Sequence, residues 1–100
     1  MPKFFVKWQL NPLAIPADPE QRVKGWLSML DAVKTDMQTG RIKDWGNCSD
    51  GSGGYAIVEA SSEADLFTSL LKWMPYVSFD AKPVTTVDET IASIKKASAR

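Results

Sequence analysis

Histidine is absent from this 100-residue sequence, and cysteine occurs only once, as Cys48. The lack of histidine excludes Ser-His-Asp and Cys-His nucleophile systems, a haem-ligating histidine and the common zinc sites. A single cysteine excludes an intrachain disulfide and a thiolate metal cluster, and it favours a reducing, cytoplasmic setting. Asp44 and Asp80 have no third acidic ligand at a supporting spacing. We therefore expect no metal site, and we expect no cofactor.

Net charge and long apolar runs are absent too. Twelve basic residues balance 12 acidic ones, which argues against nucleic acid or an anionic membrane as the main partner. The apolar stretch within MPKFFVKWQLNP is too short for a signal peptide or a membrane span. We expect a cytoplasmic protein whose residues 1–100 form one domain, with a thin core that a second subunit would help to stabilise.

Hydrophobic spacing divides the chain into strands and helices. A two-residue alternation in KFFVKWQL indicates a strand, and Asp18 before Pro19 is typical of a helix start. Thr86 and Glu89 have the spacing of a capping box. The predicted strands cover residues 3–10, 41–48, 54–60 and 76–84. The predicted helices cover residues 19–39, residues 63–74 and the segment after Thr86.

The helical segments carry apolar stripes. These are Val23, Trp26, Leu27, Leu30, Val33 and Met37 on the first helix, Leu66, Phe67, Leu70, Leu71 and Met74 on the second, and Val87, Ile91 and Ile94 on the last. We expect the second stripe to be buried, and Trp8 and Trp26 to lie in the core between sheet and helix. The last helix is expected to pack on its own chain or on a partner. Lys95, Lys96 and Arg100 would form its solvated, basic end.

This order of elements predicts an α+β fold. Two split strand-helix-strand units, βαββαβ, place both helices on one face of a four-stranded antiparallel sheet, followed by a C-terminal helix. That is the ferredoxin-like arrangement. Because two helices cover only one face, the other face must meet water, a ligand or a partner.

The uncovered face is expected to mix apolar and charged side chains. Phe5, Lys7 and Gln9 alternate with the core residues of the first strand. Tyr55, Ile57 and Glu59 alternate with small residues on the third strand, which should be its neighbour. We place both sets on the open face, and expect Lys7 and Glu59 to pair across the strands. A face of this kind suits a homodimer in which two sheets enclose a barrel.

Several segments resemble small bacterial and archaeal proteins of the dimeric α+β barrel superfamily. The segments are FFVKW, DWGNC, GGYAIVEA, KWMPY and VSFDAKPV. The chain is most similar to an uncharacterised group within a superfamily that includes muconolactone isomerase and cofactor-free monooxygenases. The resemblance implies a homodimeric barrel. Group members often have histidine after the tryptophan of the second strand, whereas Gly46 follows Trp45 here, so a role for that imidazole does not transfer.

Candidate site residues allow more than one interpretation. Lys7 and Glu59 suit a general acid/base pair, although a cross-strand ion pair is the favoured interpretation. Trp45, Tyr55 and Trp73 suit ligand contact and dimer contact equally. Cys48 is expected to be an inert residue near a strand end rather than a reactive thiol. The glycines of DGSGG precede a strand rather than a helix, which favours a hairpin loop over a phosphate-binding loop.

The sequence therefore supports three hypotheses. The first is a homodimer that binds a small, partly apolar or aromatic molecule between its sheets. Its proposed site residues are Lys7, Gln9, Trp45, Tyr55, Glu59 and Trp73. The second is a cofactor-independent isomerase or monooxygenase that uses Lys7 and Glu59. The third is a structural or interaction protein with a filled barrel.

Overall fold

The computed structural model describes residues 1–99, and Arg100 lies outside the described residues. The strands are β1 (Lys3–Leu10), β2 (Ile42–Asn47), β3 (Gly53–Glu59) and β4 (Val77–Val84). The helices are α1 (Pro19–Gln38), α2 (Glu63–Leu70) and α3 (Val87–Ser98), and short 3-10 turns cover Pro12–Ala14 and Leu71–Trp73. The predicted elements are confirmed to within a few residues at their ends.

The four strands form one antiparallel sheet with the order β2-β3-β1-β4. This order and the C-terminal α3 confirm the predicted α+β, ferredoxin-like fold. β2 and β3 are joined by a hairpin, in which the Cys48 N–H donates to the Gly53 carbonyl at 2.8 Å. The hairpin interpretation of DGSGG is therefore confirmed, and the exposed Cys48 lies just beyond the end of β2.

The core lies between α1, α2 and one face of the sheet. Its buried residues are Phe4, Val6, Val33, Ile42, Ala56, Val58, Ala60, Leu66 and Leu70. Val33 is the one buried member of the α1 stripe, and Trp26 is 40% exposed. The expectation that Trp26 belongs to the core is therefore wrong. α1 touches the sheet near its C-terminal half and stands away from it around Trp26.

The second helix is shorter than predicted. α2 ends at Leu70, and a 3-10 turn then leads to an extended Met74. Pro75 explains this change, because a residue before proline avoids the α-helical region and the chain must leave the helix early. Phe67 and Leu71 are exposed instead of completing the expected buried stripe.

The last helix projects from the sheet. Every residue from Val87 to Ser98 is exposed, so in this part of the structure α3 does not pack on its own chain. The radius of gyration is 16.4 Å, compared with about 13 Å for a compact domain of this length. The chain measures 61 × 25 × 24 Å, an elongated shape that leaves the apolar stripe of α3 uncovered.

The start of α3 is held by the predicted capping box. The Glu89 N–H donates to Thr86 Oγ1 at 3.1 Å, and the Thr86 N–H donates to Glu89 Oε1 at 2.9 Å. The hydrogen bond from the Thr86 backbone holds the pKa of the Glu89 carboxyl below its ordinary value. The folded helix therefore binds the charged carboxylate more favourably than the neutral acid.

This lowered pKa predicts a pH-dependent helix. The contribution of Glu89 is complete above the ordinary pKa of the carboxyl, and it is lost as the pH falls through the lowered folded-state value. We expect Glu89→Gln to reduce the helical signal in far-ultraviolet circular dichroism at neutral pH. The two proteins should converge in acid. A difference that stays constant across this range would contradict the assignment.

Candidate functional site

A cavity of about 500 Å³ lies between the helices and the sheet. All four tryptophans of the chain line it, together with aliphatic side chains from the sheet and both helices. The lining residues are Val6, Trp8, Leu10, Trp26, Met29, Leu30, Val33, Ile42, Trp45, Asn47, Gly51, Ala56, Leu70, Trp73, Val77 and Phe79. The cavity falls within the range of roughly 300–1,000 Å³ that is usual for small-molecule sites.

Trp8 and Trp45 form the sheet wall of this cavity. Their rings are stacked, with centroids 5.4 Å apart and planes inclined by 15°. Trp8 faces Gly54 in the register of β1 and β3, and its Nε1–H donates to the Tyr55 carbonyl at 3.3 Å. The indole of Trp8 crosses Gly54 so closely that a Cβ on Gly54 would collide with the ring and with the Gly46 carbonyl. Gly54 is therefore what allows this wall to be flat and aromatic.

Trp26 and Trp73 lie on the helix side of the cavity. Arg22 lies over the Trp26 ring at 5.7 Å, and Lys72 lies over the Trp73 ring at 5.2 Å. Lys72 Nζ also contacts Asp36 Oδ2 at 2.7 Å, which ties the 3-10 turn after α2 to α1. In both contacts a cation lies over the face of an indole, where the negative face of the ring attracts it.

The cavity is lined mainly by apolar side chains. The lining within residues 1–99 contains no charged side chain, and the Asn47 side chain contributes a polar amide group. In the same part of the chain, the indole N–H groups of Trp26, Trp45 and Trp73 donate to no protein acceptor. They remain available to an acceptor on a ligand. Apolar walls with a few polar donors are typical of small-molecule pockets.

The open face of the sheet carries a second aromatic group. The rings of Phe5 and Tyr55 are nearly parallel, with centroids 6.5 Å apart. The Tyr55 hydroxyl donates to Asp44 Oδ2 at 2.9 Å, and this hydrogen bond raises the pKa of Tyr55 above its ordinary value. Gly46 lies under the ring, where a Cβ would collide with it. The β-strand register confirms the prediction that Phe5, Tyr55 and Ile57 share this face.

The predicted ion pair between Lys7 and Glu59 is wrong. Lys7 lies opposite Tyr55 and Asp80, whereas Glu59 lies opposite Lys3. Four strand positions separate Lys7 from the level of Glu59, a distance of about 13 Å. Glu59 instead forms an ion pair with Lys43 at 3.7 Å. No acid/base pair is assembled from Lys7 and Glu59 in this chain.

The six predicted site residues are divided between the two sides of the sheet. Trp45 and Trp73 line the cavity, which lies on the side covered by the helices. The others lie on the open face, where Lys7 and Gln9 are exposed and Tyr55 and Glu59 are half-buried. Trp8 and Trp26 complete the cavity, although the sequence assigned them to the core. Their helical and strand spacing indicated an inward direction, but it gave no signal that the helix would stand away from the sheet.

Neither a metal cluster nor a membrane span is present in the described part of the chain. Among residues 1–99, no three cysteine, aspartate or glutamate side chains meet in an arrangement that would hold a metal ion. None of the described helices combines the length and apolar character that crossing a bilayer requires.

The fold and the cavity define a class: a small ferredoxin-like α+β protein with an aromatic pocket beneath its helices. The chain belongs to the family described as Domain of unknown function (DUF3303), whose family model matches residues 2–98. No curated protein matches the chain. The match agrees with the resemblance to an uncharacterised family.

The close contact between Trp8 and Gly54 predicts that adding a methyl group at Gly54 lowers the free energy of unfolding, whereas adding one at an open glycine does not. We expect Gly54→Ala to destabilise the protein by about 1–3 kcal/mol, because the ring and the backbone must both move. Gly25→Ala is the matched control. Nothing lies within 4 Å of a Cβ on the helical Gly25, so it should stabilise the protein by roughly 0.5–1 kcal/mol. Urea unfolding measures both changes, and equal effects would contradict the packing of Trp8.

Proposed function

We propose that this protein binds a small, flat, uncharged molecule, such as a neutral aromatic or quinone-like ring, in the tryptophan-lined cavity. The observation that carries the proposal is an apolar cavity of about 500 Å³ with four indoles and no charged side chain in its described lining. Stacked indoles favour a planar ligand, and desolvating a charged ligand there without a partner would be costly. The free indole N–H groups favour a ligand with a carbonyl or ether oxygen.

The proposal is tested by isothermal titration with naphthoquinone and naphthalene as neutral probes and naphthoate as the charged one. We expect neutral probes to bind and naphthoate to bind at least about tenfold more weakly. Saturation at 100 times the dissociation constant should add about 2.7 kcal/mol of stability.

Substitutions locate the binding site. Trp45→Leu should weaken binding about tenfold because it removes the stacked wall. Phe67→Leu is the matched control, since Phe67 is an exposed aromatic residue on α2 that does not line the cavity. If Tyr55→Leu weakens binding and Trp45→Leu does not, the ligand lies on the open face between two sheets. Failure of all probes to bind would reject the proposed function.

The proposal includes a homodimer formed through the open sheet face. Phe5, Tyr55 and Ile57 support it, because these half-buried side chains form an apolar centre between charged neighbours. Two sheets pack about 10 Å apart, so the same residues from two copies would meet across the interface. If side chains fill the space between the two sheets, the dimer is the filled barrel of the third hypothesis. If a lumen remains between the sheets, the dimer contains a second cavity.

Sedimentation equilibrium tests this interface. We expect the wild-type protein to have the mass of a dimer, and Ile57→Lys to raise the dissociation constant at least about tenfold by placing a charge at the centre of the face. Val23→Lys is the matched control, because Val23 is an exposed valine on α1 outside the open face and outside the cavity lining. A monomeric wild-type protein, or an unchanged Ile57→Lys dimer, would overturn the proposed interface.

A further inference from the structure

α3 has an apolar stripe that nothing in residues 1–99 covers. Val87, Ile91 and Ile94 recur at helical spacing and are 75%, 45% and 61% exposed. Isolated helices shorter than about 12–15 residues are marginal in water, even with good caps. α3 has 12 residues, so its stability calls for a surface that covers this stripe.

The charges on α3 favour a second copy of the same helix as that surface. Asp88 and Glu89 lie in the first turn, and Lys95 and Lys96 lie in the last. The helix therefore has one acidic end, one basic end and no net charge. An anionic membrane or a strongly charged partner would meet one favourable end and one unfavourable end. An antiparallel copy meets a favourable end at both positions.

The positions of Asp88 and Lys95 define the direction of pairing more sharply. At 3.6 residues per turn, a separation of seven places both residues along the same edge of the stripe formed by Val87, Ile91 and Ile94. Antiparallel helices bring like edges together, whereas parallel helices bring opposite edges together. Only the antiparallel arrangement places Asp88 beside the partner's Lys95. A two-fold axis then makes this contact twice.

We infer that α3 pairs antiparallel with α3 of a second copy through this stripe. In this register, Ile91 lies opposite the partner's Ile94, and Val87 lies opposite the partner's Ser98. Each Asp88 lies next to the partner's Lys95, while Lys96 faces away from the contact. Glu89 remains in its capping box with Thr86.

This contact is separate from the proposed function, because it uses neither the cavity nor the open sheet face. Two 12-residue helices bury less than the roughly 1,000 Å² that a stable interface needs. The pairing therefore acts together with another contact between copies. If both contacts share one two-fold axis they reinforce a single dimer, and if their axes differ they build a tetramer.

Disulfide trapping of the full chain tests the pairing directly. The exposed Cys48 is first replaced in Cys48→Ser, and Val87→Cys and Ser98→Cys are then introduced into separate proteins. We expect the mixture of the two to cross-link under mild oxidation, since the paired positions face each other. Each protein alone should give at least about fivefold less dimer. Circular dichroism confirms that α3 is folded in each variant.

Charge reversal supplies a second measurement that does not depend on disulfide geometry. Asp88→Lys should reduce the yield of the mixed cross-link at least about threefold, and adding Lys95→Asp should restore it. Lys96→Asp is the matched control, because it changes a lysine of the same helix on the face away from the contact. The effect of Asp88→Lys should shrink in high salt.

The outcomes separate this inference from its competitors. Self-cross-linking of Val87→Cys alone would show parallel helices, and no cross-link in any mixture would show that α3 does not meet another α3. Helix formation that depends on added anionic phospholipid vesicles would show a membrane surface as the occupant. Each of these results overturns the inference. The cross-link should persist in the Ile57→Lys background, which keeps it distinguishable from failure of the sheet-face dimer.

Discussion

The register of β1 between β3 and β4 sets the two faces of the sheet, and the packing of the helices follows from it. β1 pairs with both neighbours, so alternate residues are committed to opposite faces of the sheet. Val6 is buried beneath the helices, and Lys7, the next residue, is exposed on the other side. A shift of the register by one residue would exchange the two faces, so that Lys7 would enter the core and Val6 would lie on the open face. The free-energy cost of burying this lysine fixes the register.

The two faces that result have different properties because the helices cover one of them incompletely. α2 buries Leu66 and Leu70 against the sheet, whereas Val33 is the one buried residue of α1. The space left beneath the middle of α1 becomes the cavity, and large flat indoles form much of its walls. The ion pair of Lys72 with Asp36 connects the 3-10 turn after α2 to α1 beside this cavity. On the opposite face, the Phe5 and Tyr55 pair lies beside charged neighbours, and none of the described helices covers it.

Much of the fold was predictable because its signals are local. The strand alternation in KFFVKWQL, the proline before β4 and the capping box at Thr86 each depend on neighbouring residues, and each appears as expected. The candidate site was predictable only in part. Trp45 and Trp73 line the cavity beneath the helices, whereas Tyr55 lies on the opposite face of the sheet, so the six residues do not form one site in this chain. The pairing of Lys7 with Glu59 failed because alternation specifies a face but does not specify which residues stand opposite each other.

The amino-acid sequence alone was enough to predict the number and order of the strands and α-helices, the faces of the residues in β1 and β3, and the chemistry that a chain without histidine cannot perform. These properties follow from spacing, capping and composition, which need no knowledge of distant contacts. The folded chain shows in addition that α1 stands off the sheet near Trp26, that four indoles line one cavity, and that α3 projects with its stripe uncovered. These outcomes depend on how rigid elements with bulky side chains pack against each other. Helical periodicity carries no information about the distance between a helix and the sheet beneath it.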